Sequence, residues 1–178
     1  MPDIIDMRGY IETLEAMGEL RRLEGVDLNL EVGALTERAA EQEGPALLFS
    51  NFKNYPAGFR VISNVFRTCK RTGPAMGISS ELSGIDYLYA WRKKLAAYKP
   101  VPVEQVEGGP VFENQMAESE VDLYKFPTPS WHDLDGGPYI GTGCGVITKD
   151  PETGKINIGT YRVQVQDDGR FDCNGALA

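Results

Sequence analysis

Tyr10, Ile11, Leu14, Met17 and Leu20 recur at helical spacing behind Asp6, so the chain opens on an amphipathic helix with an aspartate N-cap. Gly18 weakens the end of that helix, and "ELRRLEGV" reads as the strand that leaves it. A second helix is predicted over "LEVGALTERAAEQ", with Asn29 as cap and Gly44-Pro45 as stop. The pattern then changes. "ALLFSNF" and "FRVISNVF" are short, nearly continuous apolar runs separated by "KNYPAG", which suits buried strands of a mixed sheet covered by helices. The helices carrying Leu14 and Leu35 are expected to pack on a sheet that includes Leu47, Leu48, Val61 and Ile62. "SGIDYLYAWRKKLAAY" is again helical, and the proline- and glycine-rich "KPVPVEQVEGGP" marks a crossing to a new unit.

Beyond that crossing the pattern is β-rich. "YIGTGCGVITK" and "INIGTYRVQVQ" alternate like strands, and "DPETGK" between them is a turn signal, with Pro151 early and Gly154 suited to positive φ. If Lys149 pairs with Ile156, then Gly145 faces Thr160, Gly143 faces Arg162 and Gly141 faces Gln164. One side of the hairpin then carries these three glycines with Thr160, Arg162 and Gln164. The other carries Ile140, Cys144, Val146, Tyr161, Val163 and Val165 and belongs to a core. A glycine row weakens a strand unless something lies close to the backbone, either another segment of the protein or a flat ligand. Arg162 beside such a surface suits bidentate capture of carboxylate or phosphate, although exposed arginines are common. Asn157 is an odd number of residues from Arg162, so the two face opposite ways in a regular strand. A bulge at Gly159 would bring them to one side.

The chain has 178 residues, with 42% hydrophobic and 25% charged, which fits one domain or one domain and part of another. Cys69, Cys144 and Cys173 form no CxxC pair, which points to a reducing compartment and away from a structural zinc site. A net charge of -8 works against nonspecific binding to nucleic acid or anionic lipid. The acidic amphipathic start is neither a secretory signal nor a transit peptide, and no apolar run is long enough for membrane insertion. A cytoplasmic protein is expected.

Other residues invite a functional reading and a plainer one. His132 lies in "PSWHDLDGGP" with Asp133 and Asp135. It could act as an acid or base, but a loop shaped by Trp131, the glycines and capping aspartates accounts for it better. "RTCKRTGP" gathers Arg67, Lys70 and Arg71 without a P-loop pattern, so a solvated helix start is expected. The basic side of "WRKKLAAYK" reads as a wet helix face, and Cys144 as a buried spectator thiol.

The segments "DMRGYIETLEAMGELRRL", "GPALLF", "PTPSWHDLDGGPYIGTG" and "VITKDPETGKINIGTYRVQV" together resemble the N-terminal portion of UbiD-type decarboxylases. That resemblance implies an α/β (α+β) chain: an N-terminal mixed-sheet α/β domain over residues 1–100, then the first strands of a flavin-binding split β-barrel over 101–178. It implies reversible decarboxylation of aromatic or α,β-unsaturated carboxylic acids, with prenylated FMN and a divalent metal as cofactors. The metal is usually manganese, with potassium also a candidate. By the same resemblance Asn157 ligates the metal. Thr160, Tyr161 and Arg162 contact the prenylated flavin, and Arg162 also meets the substrate carboxylate. The family's metal-binding histidine and glutamate and its acidic proton donor lie later than any residue here, as does the domain that drives homo-oligomerisation. The chain alone is therefore expected to be inactive. Two rival classes stand beside this reading: a noncatalytic binding or assembly module, and an FMN-dependent split-barrel oxidoreductase.

Overall fold

A computed structural model describes residues 4, 6–102, 104, 106–166 and 171–174. The chain divides into two compact units: Met1–Leu20 with Val65–Val121, and Arg21–Asn64 with Asp122–Ala178. Both units are discontinuous in sequence.

The second unit holds two three-stranded sheets. In the first, β1 (Leu20–Glu24), β2 (Ala46–Ser50) and β3 (Arg60–Ser63) lie in that order. β2 and β3 run antiparallel, with Leu47 opposite Ser63 and Phe49 opposite Val61. The central position of β2 explains its apolar run: Ala46, Leu47, Leu48 and Phe49 are all buried, so both of its faces are covered. Helix α2 (Glu31–Glu41) contributes Val32 to a core with Val26, Leu47, Phe49 and Phe52, and Leu35 packs against that core. The sheet residues and the Leu35 helix thus take their expected places.

The start of α2 differs from expectation. Its N-cap is Leu30, in a left-handed conformation (φ 67°) with no side-chain cap bond. Asn29 lies one residue before the cap, and the backbone on either side of it is held by Ser130. It forms a parallel bridge with Ser130, the Leu30 N–H donates to the Ser130 carbonyl (2.9 Å), and the Ser130 N–H donates to the Leu28 carbonyl (3.1 Å). The segment around Trp131 is thereby laid across α2. A Cβ added at Gly33 would lie 1.8 Å from the Trp131 carbonyl oxygen, so this helix needs a glycine there.

In the first unit, α1 (Met7–Ala16) begins as its sequence predicts, the Gly9 N–H donating to Asp6 Oδ1 at 2.9 Å. It packs on α3 (Cys69–Ala75), and Leu14 is fully buried. The Tyr10 hydroxyl donates to the carbonyls of Val65 (3.1 Å) and Arg71 (2.7 Å), and its ring stacks on Phe66. At the start of α3 Arg67 and Lys70 are exposed, as the charge pattern suggests, but Arg71 is not. Arg71 is completely buried and donates to Glu19 Oε2 at 3.3 Å, while the half-exposed Lys70 pairs with Glu19 Oε1 at 2.7 Å. The last helix, α4 (Gly84–Ala97), follows in the same unit and has no fully buried residue. Among the described residues no helix is long and apolar enough to cross a membrane.

Candidate functional site

The second sheet of the same unit is built on the hairpin β4 (Tyr139–Lys149) and β5 (Ile156–Val165), with β6 (Phe171–Asn174) antiparallel to β5. Local chemistry closes the hairpin. Asp150 Oδ1 accepts from the backbone N–H groups of Glu152 (2.9 Å) and Thr153 (2.7 Å), and Gly154 takes φ 69°. These bonds, that from the Thr153 backbone first, hold the Asp150 carboxyl below the usual aspartate range.

Near the turn the register is the expected one: Lys149 opposite Ile156, Gly145 opposite Thr160, Cys144 opposite Tyr161. Farther along, β4 shifts between Cys144 and Gly141, and again between Gly141 and Tyr139. Gly141 therefore lies opposite Val163 and not Gln164, and Gly143 has no partner in the ladder, so the expected Gly143–Arg162 pair does not form. The irregularity is on β4, where small residues tolerate a bulge. A Cβ on Gly141 would lie 1.9 Å from Cys144 Sγ. Cys144 itself is half-buried, not fully enclosed.

No bulge occurs at Gly159, which pairs regularly with Val146. That glycine serves a different purpose: a Cβ there would lie 2.3 Å from the Tyr161 ring, which folds back over it. Because β5 stays regular, Asn157 and Tyr161 share one face while Thr160 and Arg162 share the other. The expected bend that would unite Asn157 with Arg162 is absent.

The Arg162 face is open. Gly145 shares it with Thr160, and an added Cβ at Gly145 would meet only Ile158 Cγ2, at 3.8 Å. No described strand or helix of this chain therefore accounts for that glycine. Ile147 and Ile158, directly opposed, continue the same face and are 70% and 68% exposed. Sequence reasoning missed this apolar end, although the alternation continued toward the turn reaches it. The far end of β5 is covered: Gln164 and Val165 are buried. There the Val165 N–H donates to the Pro138 carbonyl (3.0 Å) and Gln164 Nε2 to the Asp135 carbonyl (3.5 Å).

The loop before β4 fits the structural reading. Asp135 Oδ2 accepts from the His132 backbone N–H at 3.1 Å and lies 3.3 Å from His132 Nδ1. Trp131 packs against the α2 core. As for metal, no three His, Cys, Asp or Glu side chains come together among the described residues. Asn157 is exposed, and one amide oxygen does not hold a hard divalent cation. The described residues do not make a metal centre.

With this geometry in hand, comparison with known proteins places the chain. Residues 11–91 match the family model for the 3-octaprenyl-4-hydroxybenzoate carboxy-lyase N-terminal domain, and residues 103–173 match that for the Rift-related domain of the same carboxy-lyase. A pyrrole-2-carboxylic acid decarboxylase of Pseudomonas aeruginosa is 34% identical over 156 residues, covering 83% of this chain and 31% of that protein. The vanillic acid decarboxylase of Sedimentibacter hydroxybenzoicus, in its closed form, superposes with a TM-score of 0.84 at 31% identity, covering 97% of this chain and 37% of that one. HmfF of Pelotomaculum thermopropionicum, an evolved dimeric UbiD-class enzyme in complex with prFMN, gives 0.77 at 32% identity, covering 96% of this chain and 38% of that one. The chain belongs to the UbiD family of carboxy-lyases. It spans about a third of the length of these relatives.

Proposed function

We propose that this chain forms the N-terminal part of an enzyme that reversibly decarboxylates aromatic or α,β-unsaturated carboxylic acids with prenylated FMN and a divalent metal. Family membership and a relative solved with prFMN support the reading. The observation that carries it within this chain is the open face of Gly145, Thr160 and Arg162, where a bare backbone adjoins a guanidinium. When bound there, prenylated FMN supplies the electron sink for the carbon that loses carbon dioxide. The chain's own residues position. Thr160 and Arg162 would hold the cofactor on this face, Arg162 also fixing the substrate carboxylate through paired N–H donors, and Tyr161, whose side chain lies on the other face of β5, would contact it through its backbone. Asn157 would give one oxygen to manganese or potassium. Among the described residues no group of His, Cys, Asp or Glu stands ready to complete that metal's shell.

The division at about residue 100, with a split barrel beginning after it, belongs to this proposal and is supported by family models that meet on either side of that point. So do a cytoplasmic location and a homo-oligomeric complete protein. A second reading, a noncatalytic module of a larger assembly, is favoured by one observation: Asn157 and Arg162 face opposite sides of β5.

A chimera separates the two. This chain would replace the matching segment of the Pseudomonas decarboxylase, and carbon dioxide release from pyrrole-2-carboxylate would be measured with prenylated FMN and manganese. The catalytic reading expects release that falls at least about a hundredfold in Arg162→Ala, the scale for losing substrate positioning. A folded chimera that is inactive, or that ignores Arg162→Ala, supports the module. By itself the chain is expected to release none.

A further inference from the structure

Gln164 is the next residue after Arg162 on the same face of β5, two positions along a regular strand. The fold treats the two differently. Arg162 is exposed, whereas Gln164 is only 9% exposed and its amide is engaged at both atoms. Nε2 donates to the Asp135 carbonyl (3.5 Å), and Oε1 accepts from Gln166 Nε2 (3.4 Å). Both bonds are long, so shape holds this side chain more than bonding does. Gly137 supplies the shape: an added Cβ there would lie 2.7 Å from Gln164 Nε2. The bare backbone at Gly137 is matched to the glutamine that lies on it.

The loop beneath Gln164 is itself tied down. The Val165 N–H donates to the Pro138 carbonyl (3.0 Å), and the Asp135 N–H donates to the His132 carbonyl (3.2 Å). Asp135 Oδ2 accepts from the His132 N–H (3.1 Å), and Trp131 packs against the α2 core. Gln164 is thus pinned, through this loop, to the core of the unit. An arginine side chain has many rotamers, and a substrate clamp that samples them loses rate. With Gln164 filling the ground on one side, the Arg162 side chain is left the open direction, over Gly145 and Thr160.

We propose that Gln164 is a positioning residue for Arg162: seated on Asp135 and Gly137, it bars the guanidinium from the covered end of the face and turns it toward the open one. The proposal rests on the reading of Arg162 as the carboxylate-binding residue, and two measurements keep the two apart. In the 178-residue chain, the heteronuclear NOE of the Arg162 Nε–H should fall in Gln164→Ala, which opens that ground. It should fall also in Gly137→Ala, which displaces the glutamine, with thermal melting as the control on folding. Gln164→Met, close in length, should retain it. In the chimera with the Pseudomonas decarboxylase, Gln164→Ala should lower kcat/KM about tenfold where Arg162 is present and less than about twofold in Arg162→Ala, because the two residues act as one unit. Equal losses in both backgrounds would make Gln164 a packing residue and overturn the proposal, while leaving Arg162 as the clamp. An NOE that ignores the substitutions in a folded chain would overturn it too. A chimera without activity would remove the clamp reading, and the NOE would then decide on Gln164 alone. If Gln164→Ala fails to fold, Gly137→Ala takes its place in both measurements.

Discussion

Two strands of one compact unit, β2 and β5, illustrate opposite uses of a strand. In β2 four consecutive apolar residues are buried, so both faces serve the core. In β5 the residues from Ile156 to Ile158 are exposed, Arg162 is exposed, and only Gln164 and Val165 at the far end are enclosed. β2 is written for packing. β5 is anchored at one end and keeps the face of Gly145, Thr160 and Arg162 free.

The largest test of this contrast is to truncate each strand. Leu48→Ala in β2 should cost roughly 2–5 kcal/mol in denaturant unfolding, because Leu48 is buried and a cavity remains. Ile158→Ala in β5 should cost less than about 0.5 kcal/mol, as usual for an exposed position. Comparable losses would break the contrast. A smaller effect is expected at the junction of helix and loop. Gly33→Ala would force its methyl group against the Trp131 carbonyl, an overpacking cost of about 1–3 kcal/mol by the same assay. A neutral outcome would mean that the loop yields freely.

The effects of pH fall at opposite ends of the scale. Burial pushes the Tyr10 phenol up to about 12, with the Arg71 charge opposing and Tyr87 adding to it. The folded state thus binds this proton more tightly than the unfolded chain. Its contribution is full below the ordinary tyrosine value near 10 and is lost as pH rises toward 12. Tyr10→Phe should remove that alkaline dependence from a melting series. Asp150 is the reverse case. Its folded carboxyl is held low, so its contribution is present above the ordinary value of 3.8 and fades as pH falls below it. Amide exchange at the Thr153 N–H should report that loss locally, and Asp150→Ala should abolish the pH dependence. A flat response in the unaltered chain would rule out the turn bonds as its origin.

Much of this was legible in the sequence because it is local. The caps and periodicity of α1, the apolar run of β2 and the turn at Asp150 are each decided within a few residues. What escaped depends on distant partners. Asn29 has the chemistry of a cap, but Ser130 bonds the backbone of Leu28 and Leu30 on either side of it. Arg71 looks solvated until Glu19, far back in the chain, is placed beside it. At the candidate site, the register held from Lys149 to Cys144 because the turn fixes it. It failed beyond Cys144 because a bulge leaves no distinctive mark among small residues. Gly159 was misread for a similar reason: a glycine that admits a bulge and one that admits a neighbouring ring look alike in sequence.

The proposed function requires that the open face of β4 and β5 be kept bare for the flavin and not for folding. Gly145→Val tests it most directly, since its Cβ has ordinary room in this chain and valine suits a strand. In the chimera with the Pseudomonas decarboxylase, visible absorbance of bound flavin would be measured beside denaturant unfolding. The account predicts unfolding within about 0.5 kcal/mol of the parent, as for an uncrowded surface position, and loss of most of the bound flavin. Full flavin retention in a stable Gly145→Val protein would contradict it.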